Sequence, residues 1–145
     1  MNSNLQNILH TEIPLTKSIG IEIAESTDLS LSLSAPLDNN INHKCTAFGG
    51  SLYSISVLSG WGLIFLQLKQ HGLAGHIVIQ ESHTQFIKPV TSTIISRCSF
   101  ENQEAIDKFI SMYKRKGIAR IQLESRIEAE QETCVIFSGR YVVHQ

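Results

Sequence analysis

From Ala47 to Leu68 the chain carries no charged residue. A run of that length is about what an α-helix needs to cross a bilayer, so it separates membrane folds from soluble ones early. Its composition argues for a soluble fold. Ser51, Ser54, Ser56, Ser59 and Gln67 are scattered through it, Gly49, Gly50, Gly60 and Gly62 interrupt it, and no strong basic flank sets an orientation. The reading that follows is a helix from about Ala47 to Gln70, ended by Gly72 and Gly75 and buried on nearly all sides. A chain of 145 residues buries such a helix without help from disulfides or metals, and residues 1–145 read as a single domain.

The rest of the chain is mostly strand. Leu29-Ser30-Leu31-Ser32-Leu33-Ser34 is the clearest alternation, one face apolar and one polar, and Ile21-Glu22-Ile23 starts a similar pattern. After the long helix come His76–Glu81, extendable to Phe86, then Thr93–Phe100. Ala119, Ile121, Leu123 and Ile127 alternate with polar residues, and Thr133–Val143 is the last apolar run. Two segments have helical spacing instead. Leu5, Ile8, Leu9 and Ile13 predict a short amphipathic helix ending at Pro14, and Ala105, Ile106, Phe109, Ile110 and Tyr113 predict another over Asn102–Tyr113. A helix apolar all round needs a wrap, which a strongly curved antiparallel sheet provides. A two-layer α+β sandwich also accommodates it, with one helix face left for another subunit.

Charge narrows the partners. Net charge is −1, with 42% hydrophobic and 17% charged residues, so neither disorder nor a broad nucleic-acid or anionic-lipid footprint is expected. Cys45, Cys98 and Cys134 are far apart, with no paired spacing and no cysteine–histidine cluster. A disulfide framework or metal site is not expected, the cysteines read as small buried hydrophobes, and the compartment reads as cytoplasmic. The opening residues show no basic region followed by an apolar run, so no secretory leader is expected.

The most informative stretch is Asn40-Ile41-Asn42-His43-Lys44-Cys45-Thr46-Ala47-Phe48-Gly49-Gly50-Ser51-Leu52-Tyr53, where loop asparagines lead into Phe-Gly-Gly at a helix start. Glycines there let a ligand approach the backbone. The first N–H groups of a helix have no intrahelical acceptor and sit at the positive end of its dipole, which suits an anion or a developing oxyanion. The same glycines also serve tight helix–sheet packing.

The motif Asn42-x-x-Cys45-Thr46-x-Phe48-Gly49-Gly50 resembles the Asn-x-x-Gly-Thr-x-His-Gly-Gly signature of hotdog-fold acyl-CoA thioesterases. Extended through Ser51-Leu52-Tyr53 to Ser59-Gly60-Trp61-Gly62, it is similar to the branch found behind acetyltransferase domains in some bacterial proteins. Phe86-Ile87-Lys88-Pro89-Val90, Lys116-Gly117-Ile118-Ala119-Arg120-Ile121 and Phe137-x-Gly139-x-Tyr141-Val142 fit that branch's later strands. The resemblance covers about residues 5–143. It implies an α+β hotdog fold, a homodimer and often a dimer of dimers. It also implies a thioester of coenzyme A or acyl-carrier protein whose pantetheine arm enters between subunits, with no cofactor.

Thioester hydrolysis needs donors for the developing oxyanion and a way to aim, preferably deprotonate, a water. Two branches of the family place a carboxylate at positions that here hold Val57 and Asn42, and no Asp or Glu occurs between Asn39 and Gln80. The candidate catalytic residues are therefore Asn42 (to orient water or the carbonyl), Gly50 (an open amide), Ser51 (a hydroxyl donor) and Asp38 (the carboxylate just before the loop). Candidate substrate-binding residues are Asn40, Thr46, Phe48, Gly49, Tyr53, His83, Phe86 and Lys88, His83 for its pKa and Lys88 for the coenzyme's phosphates. Asp38 reads equally as a turn former, His83 as a solvent-facing strand residue and Ser51 as a packing or capping residue. Because a loop asparagine contributes little core, Asn42→Ala is expected to spare the fold. The missing carboxylate keeps a second function open, a non-catalytic module that binds acyl thioesters. A hydratase reading lacks the histidine and partner-chain acid it needs.

Overall fold

The computed structural model describes residues 2–145, with side chains described from residue 4 onward. The chain runs α1 (Asn2–Glu12), α2 (Leu15–Ile19), β1 (Glu22–Ser26), β2 (Ser30–Ala35), a 3₁₀ turn (Asp38–Asn40), α3 (Gly49–Gln70), β3 (His76–Phe86), β4 (Ile94–Ser99), α4 (Gln103–Lys116), β5 (Ile118–Ala129) and β6 (Glu132–His144). The strands form one six-stranded sheet in the order β1-β2-β4-β5-β6-β3. Every neighbouring pair is antiparallel. The sheet curls around α3, the hotdog arrangement the motif implied.

The reason lies in the patterns. On β2, Leu31 and Leu33 point to α3; on β4, Ile94, Ser96 and Cys98; on β5, Leu123, Ser125 and Ile127; on β6, Val135, Phe137 and Tyr141, all buried. A helix long and apolar enough to span a membrane thus lies in the core of the fold instead. Its height along the sheet is fixed by polar contacts. Ser59 Oγ lies 2.9 Å from Ser96 Oγ, Ser125 Oγ donates to the Ser56 carbonyl at 3.0 Å, and Tyr141 donates to the Val57 carbonyl at 2.7 Å. These hydroxyls satisfy one another away from water.

Four expectations change. Pro14 ends α1 but a second helix, α2, starts directly after it. Proline's fixed φ and missing N–H suit a helix start as well as a stop. Second, α3 is not covered on every side by its own chain. Tyr53 is exposed and Val57, Trp61 and Phe65 are half-buried, forming a stripe at helical spacing. Third, β3 reaches Phe86 as the longer reading had it, but its alternation is broken by a bulge between Ile79 and Glu81. Fourth, Cys98 and Cys134 are buried but Cys45 is exposed, in the left-handed region at φ 64°. It occupies the place where the signature has glycine, the residue that adopts this conformation without strain.

Candidate active site

The loop before α3 folds into a small closed turn. Ile41 bridges Ala47, and Asn42 N–H donates to the Thr46 carbonyl at 2.8 Å. The Asn42 side chain works inside this turn. Its Oδ1 accepts from Lys44 N–H (2.8 Å) and Thr46 N–H (3.1 Å), while Nδ2 donates to Thr46 Oγ1 (2.9 Å) and the Ala47 carbonyl (3.4 Å). A side-chain amide has two donors and one accepting oxygen, so this turn occupies them all. Asn40 anchors the turn from below. It is buried, donates to the carbonyls of Ile19 (2.9 Å) and Pro36 (2.8 Å), and its own carbonyl accepts from Phe48 N–H at 2.7 Å.

The turn delivers the chain to the start of α3. Phe48 caps the helix with extended backbone and no side-chain cap, and no acidic residue lies in the first turn. Ser51 N–H and Leu52 N–H both bond the Phe48 carbonyl. Among the described residues, the amides of Gly49 and Gly50 have no acceptor. They are the donors at the positive end of the helix. The glycines also admit aromatic rings. A Cβ on Gly50 would overlap the ring of Phe48, and one on Gly49 would lie 3.8 Å from the ring of Phe86. Phe48 (57% exposed) and Phe86 (56%) therefore flank the opening without being held in the core. Ser51, half-buried, sits one residue further along.

The second wall is β3. Because of its bulge, Ser82, Thr84 and Phe86 pair with Gly139, Phe137 and Val135, the inward residues of β6. Tyr53 joins the two walls, with its hydroxyl 2.9 Å from Ser82 Oγ and its ring edge-on to Phe137 at 5.8 Å. Phe48, Gly49, Gly50, Ser51, Tyr53 and Phe86 thus gather at one place, with Asn42, Thr46 and Asn40 holding the loop that feeds it. The other candidates lie elsewhere. His83 points to the opposite face of the sheet, in a polar groove with Glu81, Gln122 and Arg140. Lys88 is ion-paired with Glu132 at 2.6 Å, and Asp38 is exposed at the head of the 3₁₀ turn, with no hydrogen bond to the opening. Val57 sits two turns along α3 from Gly50, an aliphatic side chain with nothing to ionise.

This assembly of loop, double glycine and long central helix has relatives. Residues 2–145 match the model of a family described as "Putative thioesterase (yiiD_Cterm)". The chain belongs to this thioesterase family. A Shewanella oneidensis protein described as a putative thioesterase superposes with a TM-score of 0.91 at 33% identity, covering 99% of this chain and 97% of that one. A Chlorobaculum tepidum protein of unknown function gives 0.93 at 33% identity, covering 99% and 94%. A Pseudomonas aeruginosa protein of unknown function gives 0.84 at 18% identity, covering 99% and 95%, a likeness of fold.

Sequence reasoning passed over Thr84. A threonine on an edge strand carries no spacing signal, and counting in twos from Ile77 and Ile79 puts residue 84 outside. Only the bulge brings it to the inward face of β3.

Proposed function

We propose that the protein hydrolyses acyl thioesters of coenzyme A or acyl-carrier protein at the N-terminus of α3. One observation carries this reading: two adjacent glycine amides without acceptors open a helix that has no acidic residue in its first turn. A thioester carbonyl set against these N–H groups gains most as it becomes an oxyanion, so they favour the transition state over bound substrate. Water attacks the carbonyl carbon, the C–S bond breaks, and the thiol leaves. Phe48, Phe86 and Tyr53 offer apolar surface to the acyl chain or pantetheine arm. Asn42, Thr46 and Asn40 act through the backbone, holding Phe48 and the glycines where the carbonyl needs them.

The site is completed by a second copy of the chain. β3 is an edge strand eleven residues long, and Val78 and Ile87 are about half exposed on or beside it. A long bare edge favours strand pairing between copies. The resulting homodimer, alone or in pairs, covers the stripe on α3 and roofs the helix opening. The cytoplasm, a reducing compartment, suits three unpaired cysteines among the described residues.

A second reading is a binding module that does not turn over. It is favoured by the aliphatic Val57 and the fully engaged Asn42 at the two carboxylate positions. Thiol release from a panel of acyl-CoA and acyl-carrier-protein thioesters separates the two. Hydrolysis of at least one substrate, abolished in Gly50→Val, supports the enzyme. Saturable binding without thiol release across the panel makes the protein a module.

A further inference from the structure

The far end of α3 and the last turns of α4 enclose a groove of about 510 Å³, with Asp107, Ser111, Lys114 and Arg115 on one wall and His71 on the other. That is the size of a small-molecule site. Its charge is one-sided. No Asp or Glu lies between Lys108 and Leu123, a stretch that holds Lys114, Arg115, Lys116 and Arg120, and none lies between Asn39 and Gln80, where the end of α3 brings Lys69 and His71. Asp107, the one carboxylate among the lining residues, accepts from Gln103 Nε2 at 3.0 Å. Among the described residues, Lys114 and Arg115 have no carboxylate partner. His71 Nδ1 donates to the Gln67 carbonyl at 2.8 Å, which fixes the ring and leaves Nε2 for a ligand.

Within one copy the groove is remote from the helix opening, because the 22 residues of α3 put about 33 Å between its ends. Pairing through β3 changes that. A symmetric pair joined through one edge strand is isologous, so the two strands run antiparallel and each copy's Phe86 end lies beside the other's His76 end. In each copy α3 runs opposite to β3: Gly49 lies by Phe86, and Trp61 Nε1 donates to the Ile77 carbonyl at 3.1 Å. Tyr113 on α4 donates to the Ala74 carbonyl at 2.6 Å, so the groove belongs to the His76 end. The dimer thus sets each copy's groove beside the other copy's opening.

We propose that Lys114, Arg115 and His71 bind the phosphates of a coenzyme A thioester whose carbonyl is seated in the other copy. The inference rests on the hydrolase and dimer readings above, and it names coenzyme A rather than a carrier protein as the acyl carrier. Guanidinium and ammonium groups suit phosphate oxygens, and Ser111 adds a hydroxyl. A nucleotide fits inside a groove, whereas a folded carrier protein needs a broad face. The pantetheine arm spans from groove to opening across the subunit boundary.

The test compares wild type with Lys114→Gln/Arg115→Gln on an acyl-CoA, on the same acyl group carried by pantetheine, and on its acyl-carrier-protein ester. Both side chains are exposed, so the melting temperature is expected to hold. Expected is a KM for acyl-CoA about tenfold higher, the worth of two partly exposed charge contacts, with kcat and the acyl-pantetheine KM within about twofold. Mixing the double variant with inactive Gly50→Val copies is expected to restore the wild-type KM, because the intact opening then meets an intact groove. An unchanged KM, an equal rise for acyl-pantetheine, a loss confined to the carrier-protein ester, or no restoration in the mixture overturns the proposal and leaves the hydrolase reading standing. If wild type hydrolyses nothing, the hydrolase reading fails, and titration with adenosine 3′,5′-bisphosphate decides the phosphate site alone: binding lost in the double variant supports it, and no binding to wild type overturns it.

Discussion

Replacing Asn42 with alanine withdraws four hydrogen bonds from one turn. Two of them leave backbone N–H groups of Lys44 and Thr46 without their acceptor, so the expected cost is about 1–3 kcal/mol, read in a thermal or urea melt. Turnover falls about tenfold or more, because the displaced turn carries Phe48 and the glycine amides with it. The sequence made Asn42 legible as a special residue but not its job: an amide that touches substrate and one that ties a turn look alike in a motif. The cysteines divide in a similar way. Cys45 is exposed and reacts with a maleimide in the native state, whereas Cys98 is buried and reacts only on unfolding. Burial pushes the Cys98 thiol up to about 11 from an ordinary 9.0, the neighbouring Ser125 hydroxyl only partly opposing it. With the folded pKa above the unfolded one, the native state holds its proton where the unfolded chain has lost it. Cys98 therefore contributes stability fully present below pH 9 that is lost as pH rises from 9 toward 11. Cys98→Ala is expected to flatten that part of the alkaline stability profile, and Tyr141, raised by burial as well, leaves a slope at higher pH.

Among elements, α3 was the most readable, because a long charge-free run with serines and glycines has few places to go in a soluble fold. Its glycines do different work at different points. At Gly60 a Cβ would overlap the Tyr141 hydroxyl, which is held against the Val57 carbonyl in the core. Gly60→Ala gains helix propensity yet is expected to destabilise by about 1–3 kcal/mol through overpacking, and to lower the melting temperature by several degrees. A more stable Gly60→Ala protein means the Tyr141 contact does not fix the helix. The β3 strand was readable only in part. Its alternation is regular to Ile79, where the bulge shifts the inward set from odd to even numbers. That one extra residue turns His83 away from the helix opening and brings Thr84 to the inward face, and bulges leave little trace in a sequence. The α2 helix was hidden for a simpler reason: five residues after a proline show no period.

At the scale of the molecule, the curved sheet and central helix followed from patterning, since strands with one apolar face and a helix with none polar admit few arrangements. The half-open helix N-terminus did not, because which face of α3 its own chain leaves bare depends on strand order. The stripe of Tyr53, Val57, Trp61 and Phe65, with Phe48 and Phe86 beside it, is a surface a soluble monomer rarely keeps. Sedimentation at micromolar concentration is expected to give a dimer or a tetramer, and a monomer over that range contradicts the shared site. The most direct measurement is on the two amides themselves. In a titration with a non-hydrolysable thioether analogue of an acyl-CoA, the backbone ¹⁵N–¹H signals of Gly49 and Gly50 are expected to show the largest shifts in α3. Saturable binding with those two signals unmoved, and the shifts gathered elsewhere on the surface, contradicts a carbonyl seated at the head of the helix.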